Sequence, residues 1–222
     1  MGERAALFDL DGTLIDCNSA RLWVRREWDA GRLSPRDVLW AGWWLGKYAL
    51  GRADGLEQGF AAAVATLKGE REEEIAARTR EWFAAEVAHR LRPGARAAVE
   101  RHRAAGDRLV IATSSSRYAA SEALAAFGFD DLISAEFEVL DGRFTGRVAA
   151  LAVGDAKLQR ASEWAGHVGV DLAECVFYTD SISDLALLAR VGHPVAVNPD
   201  RALLRAARAR GWEVVDWGRS AR

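Results

Sequence analysis

The chain is poor in cysteine, proline and methionine, with 2, 4 and 1 of these residues among 222. The two cysteines, Cys17 and Cys175, are too few for a disulfide framework and fit no zinc-binding spacing, which favours a reducing compartment. The low proline content, together with 50% hydrophobic and 28% charged residues, excludes a disordered or low-complexity chain. The length suits one domain with an insertion.

The sequence also lacks a strong charge of one sign and a long apolar run. Thirty Lys and Arg residues oppose 32 Asp and Glu residues, and the net charge of -2 favours no nucleic-acid partner. The longest stretch without a charged residue spans ten residues, 58–67, whereas a membrane-spanning helix needs about 20 apolar residues. The N-terminus has no apolar signal-peptide region. We therefore expect a cytoplasmic protein with no integral membrane segment.

Short apolar runs alternate with helical patterns along most of the chain. The predicted buried strands are residues 5–8, 109–112, 175–178, 195–197 and 214–215. The predicted helices between them are residues 95–105, 117–127, 157–165, 184–191 and 201–210. This alternation predicts an α/β fold with a doubly wound, Rossmann-like parallel sheet. Asp141-Gly142, between β-prone flanks, interrupts it and predicts a type I′ turn and a small β-hairpin flap.

Residues 17–92 differ from the rest, since they are rich in Trp and Ala and show a helical period without a convincing buried strand. Residues 34–37, Ser-Pro-Arg-Asp, form a capping-box start for one helix there. The sequence thus predicts an α/β core of residues 1–16 and 93–222 and an inserted, all-helical cap of residues 17–92. Trp40, Trp43 and Trp44 share one helical face. We expect this face to form cap core or a dimer seam; the alternatives are a wall of the substrate site and contact with a membrane surface.

Two carboxylates follow the first predicted strand in the motif Asp9-Leu10-Asp11-Gly12-Thr13. This position is the carboxyl end of the sheet, where open α/β folds bind ligands. An acidic turn that caps the next helix would explain one Asp and the Gly. It would not explain a second Asp on the same side, so we expect both carboxylates to be functional.

Further polar motifs follow later strands. Residues 113–116, Thr-Ser-Ser-Ser, offer hydroxyl and backbone N–H groups for an anion at a helix start, or an ordinary helix cap. Residues 178–184 place Asp180 and Asp184 among small polar residues, which suits either a hard cation or a capped helix start. Lys157 is the only lysine in the second half of the chain, and the alternative to a site role is a solvated helix residue.

In this order on successive strand ends, these motifs resemble the four motifs of the haloacid dehalogenase superfamily of phosphohydrolases, over nearly the whole chain. The insertion after the first motif, the 23-residue step from Lys157 to Asp180 and the Asp-Gly hairpin resemble its phosphoserine phosphatase-like branch, subfamily IB, with a helical C1-type cap. Residues 178–184 and 191–199 are similar to a bacterial group of phosphatases, some described as acting on phosphoserine or histidinol phosphate.

The resemblance implies a Mg²⁺-dependent phosphomonoester hydrolase. Asp9 is the implied nucleophile that forms an aspartyl-phosphate, and Asp11 is the implied acid and base for the leaving group and the attacking water. The Asp9 carboxylate, the Asp11 backbone carbonyl and Asp180 are the implied Mg²⁺ ligands.

The remaining motif residues receive supporting roles from the same resemblance. Thr113, the Ser114 N–H and Lys157 are the implied ligands of the phosphoryl oxygens. Ser183 and Asp184 are implied to support the metal site through its ligands, without binding the metal themselves.

Two positions bear on the substrate. Asn18 stands where phosphoserine-specific relatives carry a Glu for the substrate's ammonium group, and a neutral amide pairs poorly with ammonium. Asp11 disfavours dehalogenation, because true dehalogenases lack this second Asp. The expected substrate is a small organic phosphate: phosphoserine-like, histidinol phosphate or of the glycerol phosphate type. The alternatives are a phosphotransferase or mutase, and a non-catalytic signalling or binding module phosphorylated on Asp9; the sequence leaves the substrate and the oligomeric state open.

Overall fold

The computed structural model describes residues 4–33 and 56–220, with no side chains for residues 56–58. The strands are β1 (Ala5–Phe8), β2 (Arg108–Ser116), β3 (Asp131–Leu140), β4 (Arg143–Ala150), β5 (Val176–Thr179), β6 (His193–Val197) and β7 (Glu213–Val215). The α-helices are α1 (Ser19–Asp29), α2 (Leu56–Ala65), α3 (Glu72–Trp82), α4 (Pro93–Ala105), α5 (Arg117–Phe127), α6 (Asp155–Val168), α7 (Leu185–Leu188) and α8 (Arg201–Arg210). Shorter helical turns are Phe83–Val87, Ala88–Arg90, Leu172–Glu174 and Ile182–Asp184.

Within the described residues the seven strands form one sheet in the order β4-β3-β2-β1-β5-β6-β7. Neighbouring strands are parallel except for β4, which is antiparallel to β3. The turn between β3 and β4 contains Asp141 with φ 50° and Gly142 with φ 73°. Two successive positive φ angles are those of a type I′ turn. The predicted α/β fold with a parallel sheet and a β-hairpin is therefore confirmed.

Both faces of the sheet are buried, because successive side chains of a strand point to opposite sides. In β1, Ala6 and Phe8 belong to the core shared with α4 and α5. Ala5 and Leu7 belong to the core shared with α6, α7 and α8. A parallel sheet needs such covering on both faces, and the arrangement is the predicted doubly wound one.

Two elements differ from the sequence prediction. β3 begins at Asp131, well before the hairpin, and pairs with β2 in parallel, with Ile133 opposite Ala112. Asp131, Ser134, Glu136 and Glu138 interrupt the apolar residues of β3, so the strand shows no continuous apolar run in the sequence. The predicted helix over residues 184–191 is reduced to α7, because the chain turns after Leu188 towards Gly192.

The described part of residues 17–92, which we call the helical insertion, contains only helices and helical turns as regular elements. The Trp82 side chain is 1% exposed and its ring meets that of Trp23 edge to face at 5.3 Å. Trp40, Trp43, Trp44 and the capping box of residues 34–37 lie outside the described residues. The division into a core of residues 1–16 and 93–222 and a cap of residues 17–92 stays a prediction.

The hairpin of β3 and β4 is joined to the helical insertion by backbone hydrogen bonds. The Glu72 N–H donates to the Gly142 carbonyl at 2.9 Å, and the Phe144 N–H donates to the Glu70 carbonyl at 3.0 Å. The buried Phe144 ring packs in one cluster with Ile75 of α3. The helical insertion is thus connected to the sheet at the two ends of its chain and also through the β3–β4 hairpin.

The segment after β7 ties the ends of the insertion to the sheet. The Trp217 ring lies 5.0 Å from the Tyr178 ring, and its backbone carbonyl accepts the Gly94 N–H at 3.1 Å. The Ser220 hydroxyl donates to Asp16 Oδ2 at 2.8 Å. These contacts fix the two points at which the chain leaves β1 and enters α4.

In the part of the chain that the structure describes, no helix is both long and apolar enough to cross a membrane. Cys17 and Cys175 are both free thiols. Burial raises the pKa of Cys17 to about 12 and that of Cys175 to about 11. Neither thiol is therefore ionised near neutral pH, in keeping with small hydrophobic packing roles.

Gly192 provides a test of the packing between the turn before β6 and the helical turn Leu172–Glu174. A Cβ atom at this position would lie 1.8 Å from the Ala173 carbonyl oxygen, so the backbone has to shift in Gly192→Ala. We expect this substitution to lower the free energy of unfolding by about 1–3 kcal/mol, measured by urea denaturation.

Gly166→Ala is the matched control, because Gly166 lies within α6 and a Cβ there meets no atom within 4 Å. Alanine is the better helix former, so this control should gain about 0.5–1 kcal/mol. A Gly192→Ala protein as stable as the wild type would contradict the packing described above.

Candidate active site

The site lies at the carboxyl ends of three neighbouring strands. β1 pairs with β2 on one side and with β5 on the other, both in parallel. The Asp9 N–H still donates to the Tyr178 carbonyl at 2.9 Å, so Asp9 stands where the ladder ends. Thr113 lies in the C-terminal half of β2 and Asp180 directly follows β5. After β1 the chain continues to β2 on one side, and after β5 it continues to β6 on the other side. Open α/β folds bind ligands at such a point, where the strand order reverses.

A buried ion network connects Lys157 with two carboxylates. The Lys157 side chain is 2% exposed, and its Nζ lies 3.0 Å from Asp9 Oδ1 and 2.7 Å from Asp184 Oδ1. The Thr179 hydroxyl donates to Asp184 Oδ2 at 2.7 Å. Burial works against the Lys157 ammonium, but Asp184 and Asp9 outweigh it and raise the lysine pKa. Lys157 therefore stays charged, and it is not a solvated helix residue.

Asp11 is held by three hydrogen bonds from two serines. The Ser19 N–H donates to Oδ1 at 2.6 Å, and the hydroxyls of Ser19 and Ser115 donate to Oδ2 at 2.8 and 2.7 Å. Ser19 is the first residue of α1, and a helix N-terminus favours a carboxylate. Burial raises the pKa of Asp11, while the hydrogen bonds from Ser115 and Ser19 oppose that shift. One serine belongs to the helical insertion and the other to the sheet, so Asp11 joins the two.

Asp180 lies against the turn that follows Asp9. Gly12 has φ 76°, and a Cβ atom there would lie 2.1 Å from Asp180 Oδ2. The Thr13 hydroxyl is 3.5 Å from Asp180 Oδ1, at the limit of a hydrogen bond. Glycine is thus required at position 12 both by its backbone conformation and by the closeness of the carboxylate.

Burial and mutual repulsion raise the pKa values of the carboxylates at this edge. Burial raises the pKa of Asp9 to about 7, although Lys157 opposes the shift. Burial and repulsion from Asp9 raise the pKa of Asp180 well above its usual range. No three Asp, Glu, His or Cys side chains among residues 4–33 and 56–220 form a metal cluster on their own.

A hard cation would relieve this repulsion, and oxygen atoms are the ligands it prefers. The residues present fit Mg²⁺ if the carboxylates of Asp9 and Asp180 are joined by the Asp11 backbone carbonyl and by water. This is the ligand set that the family resemblance implies.

The predicted phosphate-binding motif lies where β2 ends and α5 begins. β2 continues to Ser116, and α5 begins at Arg117, with the Ser116 hydroxyl accepting the Ala119 N–H. The predicted helix over residues 117–127 is confirmed, and Ser116 is its N-cap, as the helix-cap alternative for this motif expected. Thr113 is buried and its Oγ1 accepts the Ser115 N–H at 3.1 Å. Roles for Thr113 and Ser114 as phosphate ligands stay predictions.

Two other predicted residues make local contacts. The Ser183 hydroxyl lies 2.9 Å from the Ser181 hydroxyl, so it braces its own turn. Asn18 is the N-cap of α1, and its Oδ1 accepts the Arg21 N–H at 2.9 Å. The side-chain oxygen of Asn18 is therefore engaged within the helix, one residue before the Ser19 contact with Asp11.

Sequence reasoning missed four residues that shape the site: Ser19, Ser115, Arg92 and Asp200. Arg92 Nε donates to the Gly12 carbonyl at 3.1 Å, and Asp200 contacts the loop that carries Asp180. Ser19 follows a helix N-cap, and Ser115 stands two residues after Thr113 in an extended strand. Those local signals place them near the site, but only the fold brings them to Asp11.

The family model for haloacid dehalogenase-like hydrolases matches residues 6–189 of this chain. A histidinol-phosphatase of Neisseria meningitidis is 30% identical over 218 residues, which cover 96% of this chain and 98% of that protein. A phosphoserine phosphatase of Mycobacterium tuberculosis is 30% identical over 217 residues, covering 96% of this chain and 70% of that protein.

Solved structures share the fold. A protein of unknown function from Bordetella pertussis superimposes with a TM-score of 0.87 at 30% identity, covering 98% of this chain and all 100% of that chain. A phosphoserine phosphatase, solved as an analogue of its phospho-aspartyl intermediate, superimposes with a TM-score of 0.72 at 18% identity, covering 99% and 96% of the two chains. The predicted resemblance is confirmed: the chain belongs to the haloacid dehalogenase-like hydrolase family and has phosphoserine phosphatase-like homologues.

Proposed function

We propose that this protein is a Mg²⁺-dependent phosphomonoesterase that forms an aspartyl-phosphate on Asp9. The observation that carries the proposal is the buried contact of Lys157 Nζ with Asp9 Oδ1 at 3.0 Å. It places a permanent cation beside a carboxylate that faces the ligand-binding edge of the sheet. A phosphate dianion needs such a cation near the nucleophile, because two negative groups otherwise repel each other.

The chain's own residues supply a complete double displacement. A carboxylate oxygen of Asp9 attacks phosphorus and the bond from phosphorus to the ester oxygen breaks, while Asp11 gives its proton to that oxygen. Asp11 then takes a proton from water, whose oxygen attacks phosphorus and breaks the bond to Asp9. The products are the alcohol and inorganic phosphate, and both aspartates return to their starting state.

Positive charge and hydrogen-bond donors support these steps. Lys157, Thr113 and the Ser114 N–H would hold the phosphoryl oxygens as charge moves onto them. Mg²⁺ bound by Asp9, Asp180 and the Asp11 carbonyl would supply further positive charge at the reacting phosphate. Ser19 and Ser115 orient Asp11, as the three hydrogen bonds of 2.6 to 2.8 Å indicate. The ion pair with Asp184 holds the Lys157 ammonium group in place.

The proposed substrate class is a small organic phosphate. Two relatives that are 30% identical to this chain are named histidinol-phosphatase and phosphoserine phosphatase. Asn18 offers no carboxylate for a substrate ammonium group, and its oxygen already caps α1. This supports placing glycerol phosphates, which carry no ammonium group, ahead of phosphoserine in a substrate panel.

Asp9→Asn tests the reaction class. An amide cannot attack phosphorus, so phosphate release should fall by at least about 10³-fold while the fold is kept, because Asn retains an oxygen for Lys157 Nζ. The measurement is release of inorganic phosphate from phosphoserine, histidinol phosphate, glycerol phosphates, lysophosphatidate and sugar phosphates. The wild type should lose activity with EDTA and regain it with Mg²⁺.

Thermal unfolding of Asp9→Asn is the control for its fold. A folded variant that turns over at the wild-type rate would contradict the proposal. Transfer of the phosphoryl group to a second organic hydroxyl would instead indicate a phosphotransferase or mutase. A phosphorylated Asp9 that persists for hours without turnover would indicate a signalling module.

Ser115→Ala tests the role of Asp11. A hydrogen bond to a charged group contributes about 1.5–3 kcal/mol, so kcat for an alkyl phosphate should fall about 10- to 100-fold. The effect should be much smaller for p-nitrophenyl phosphate, because its leaving group needs little protonation. The measurement is the ratio of kcat values for the two substrates in each variant.

Ser116→Ala is the matched control, since Ser116 caps α5 and makes no hydrogen bond with Asp11. It should lose about 1 kcal/mol of stability and keep the wild-type ratio of rates. Equal losses on both substrates in Ser115→Ala would show that Ser115 does not act through the acid.

A further inference from the structure

We propose that Asp200 is a positioning residue that holds the loop of residues 180–184 in the shape that binds the cation. This inference rests on the proposed function, because it concerns the Mg²⁺ that Asp180 would bind. Asp200 lies outside the predicted motifs, in the Asn-Pro-Asp sequence that precedes α8.

Asp200 uses its two carboxylate oxygens for two different partners. Oδ1 accepts the N–H groups of Ala202 and Leu203, both at 2.8 Å, and so caps α8. Oδ2 accepts the Ile182 N–H at 2.9 Å. The Asp200 N–H in turn donates to the Asp180 carbonyl at 2.8 Å. One residue therefore clamps the loop on both sides of Ser181 and anchors it to the start of a helix.

The loop needs an external anchor, because it leaves the sheet at Thr179, where β5 ends. Ser181 caps only its own turn, through the Ser183 N–H at 3.3 Å. Within this turn Asp180 faces Gly12 and Asp184 faces Lys157. A shift of the loop backbone would therefore move both carboxylates at once.

Repulsion at the site makes this anchor necessary. Asp180 lies against the turn that carries Asp9 and Asp11, and carboxylates of like charge repel one another. Without a fixed backbone, Asp180 could relax away from Asp9, and a cation would then have to pull it back on binding. The clamp by Asp200 removes that reorganisation and thereby raises the affinity for the cation.

Asp200→Asn separates the clamp from the cap. Asn is as good an N-cap as Asp, so its oxygen can still serve α8. Its amide nitrogen then faces the Ile182 N–H, and two donors cannot bond. We expect the Kd for Mg²⁺ to rise about tenfold, measured by isothermal titration calorimetry with the metal alone. The Mg²⁺ concentration for half-maximal phosphate release should rise in parallel, while kcat at saturating Mg²⁺ stays within about twofold of the wild type.

Asp171→Asn is the matched control. Asp171 is also an N-cap, whose Oδ1 accepts the Ala173 N–H at 2.9 Å, but it precedes β5 and lies at the opposite end of that strand from the site. This variant should bind Mg²⁺ like the wild type. Equal Mg²⁺ affinity in Asp200→Asn and the wild type would overturn the proposal.

Asp200→Asn also removes one negative charge, and measurements at high salt concentration test whether that loss alone changes the Mg²⁺ affinity. A tenfold difference that persists at about 1 M ionic strength, where the screening length is about 3 Å, supports the clamp. A difference that vanishes there comes from long-range attraction and overturns it. If Asp200→Asn does not fold, Asp200→Ser replaces it with the same expected result, because a single hydroxyl oxygen cannot serve both α8 and Ile182.

The experiment also separates this inference from the proposed function. A wild-type protein that binds no Mg²⁺ and releases no phosphate would overturn both. A wild-type protein that binds Mg²⁺ and releases phosphate, with an Asp200→Asn variant that binds Mg²⁺ equally well, would overturn the clamp alone.

Discussion

The structure of the site depends on one buried charge, the ammonium group of Lys157. A lysine that is 2% exposed is tolerated only because two carboxylates compensate it, at 3.0 Å from Asp9 and 2.7 Å from Asp184. The same contact brings α6, the end of β1 and the loop after β5 to one point. Removal of Lys157 would leave the two buried carboxylates of Asp9 and Asp184 without their cation, so the network fixes the site geometry and restricts substitution at Lys157.

Around this charge, segments distant in sequence each contribute a fixed contact. The helical insertion provides Ser19, the sheet provides Ser115, and together they hold Asp11. The start of α8 provides Asp200, which holds the Asp180 loop, and Arg92 holds the turn at Gly12. In the proposed mechanism, the first contacts would orient a carboxylate for proton transfer and the others would orient a carboxylate for a cation. The two proposed chemical tasks thus have separate supports.

The local motifs were readable because their signals lie within a few residues. The apolar run of β1 followed by Asp9 and Asp11, and the Asp141-Gly142 turn, give the strand end and the hairpin directly. β3 was not predicted at its full length, because Asp131, Ser134 and Glu136 interrupt its apolar residues and leave no continuous apolar run. The helix start after β2 was predicted correctly, but serine suits both an extended strand end and a helix cap, so the sequence did not show that β2 extends to Ser116.

By itself the sequence determined the α/β class, the order of the motifs and the identity of the charged residues, because hydrophobic period and turn chemistry act over short distances. Only the tertiary structure decided which of these residues meet. Lys157 was one lysine on a predicted helix until the packing of α6 buried it beside Asp9. In the sequence, Asp200 is an ordinary helix cap and Ser115 is one of several serines. The parallel sheet brings both residues to the edge that carries Asp9 and Asp180. Contacts between residues more than a hundred positions apart, such as Asp11 with Ser115, depend on the path of the whole chain and leave no local pattern.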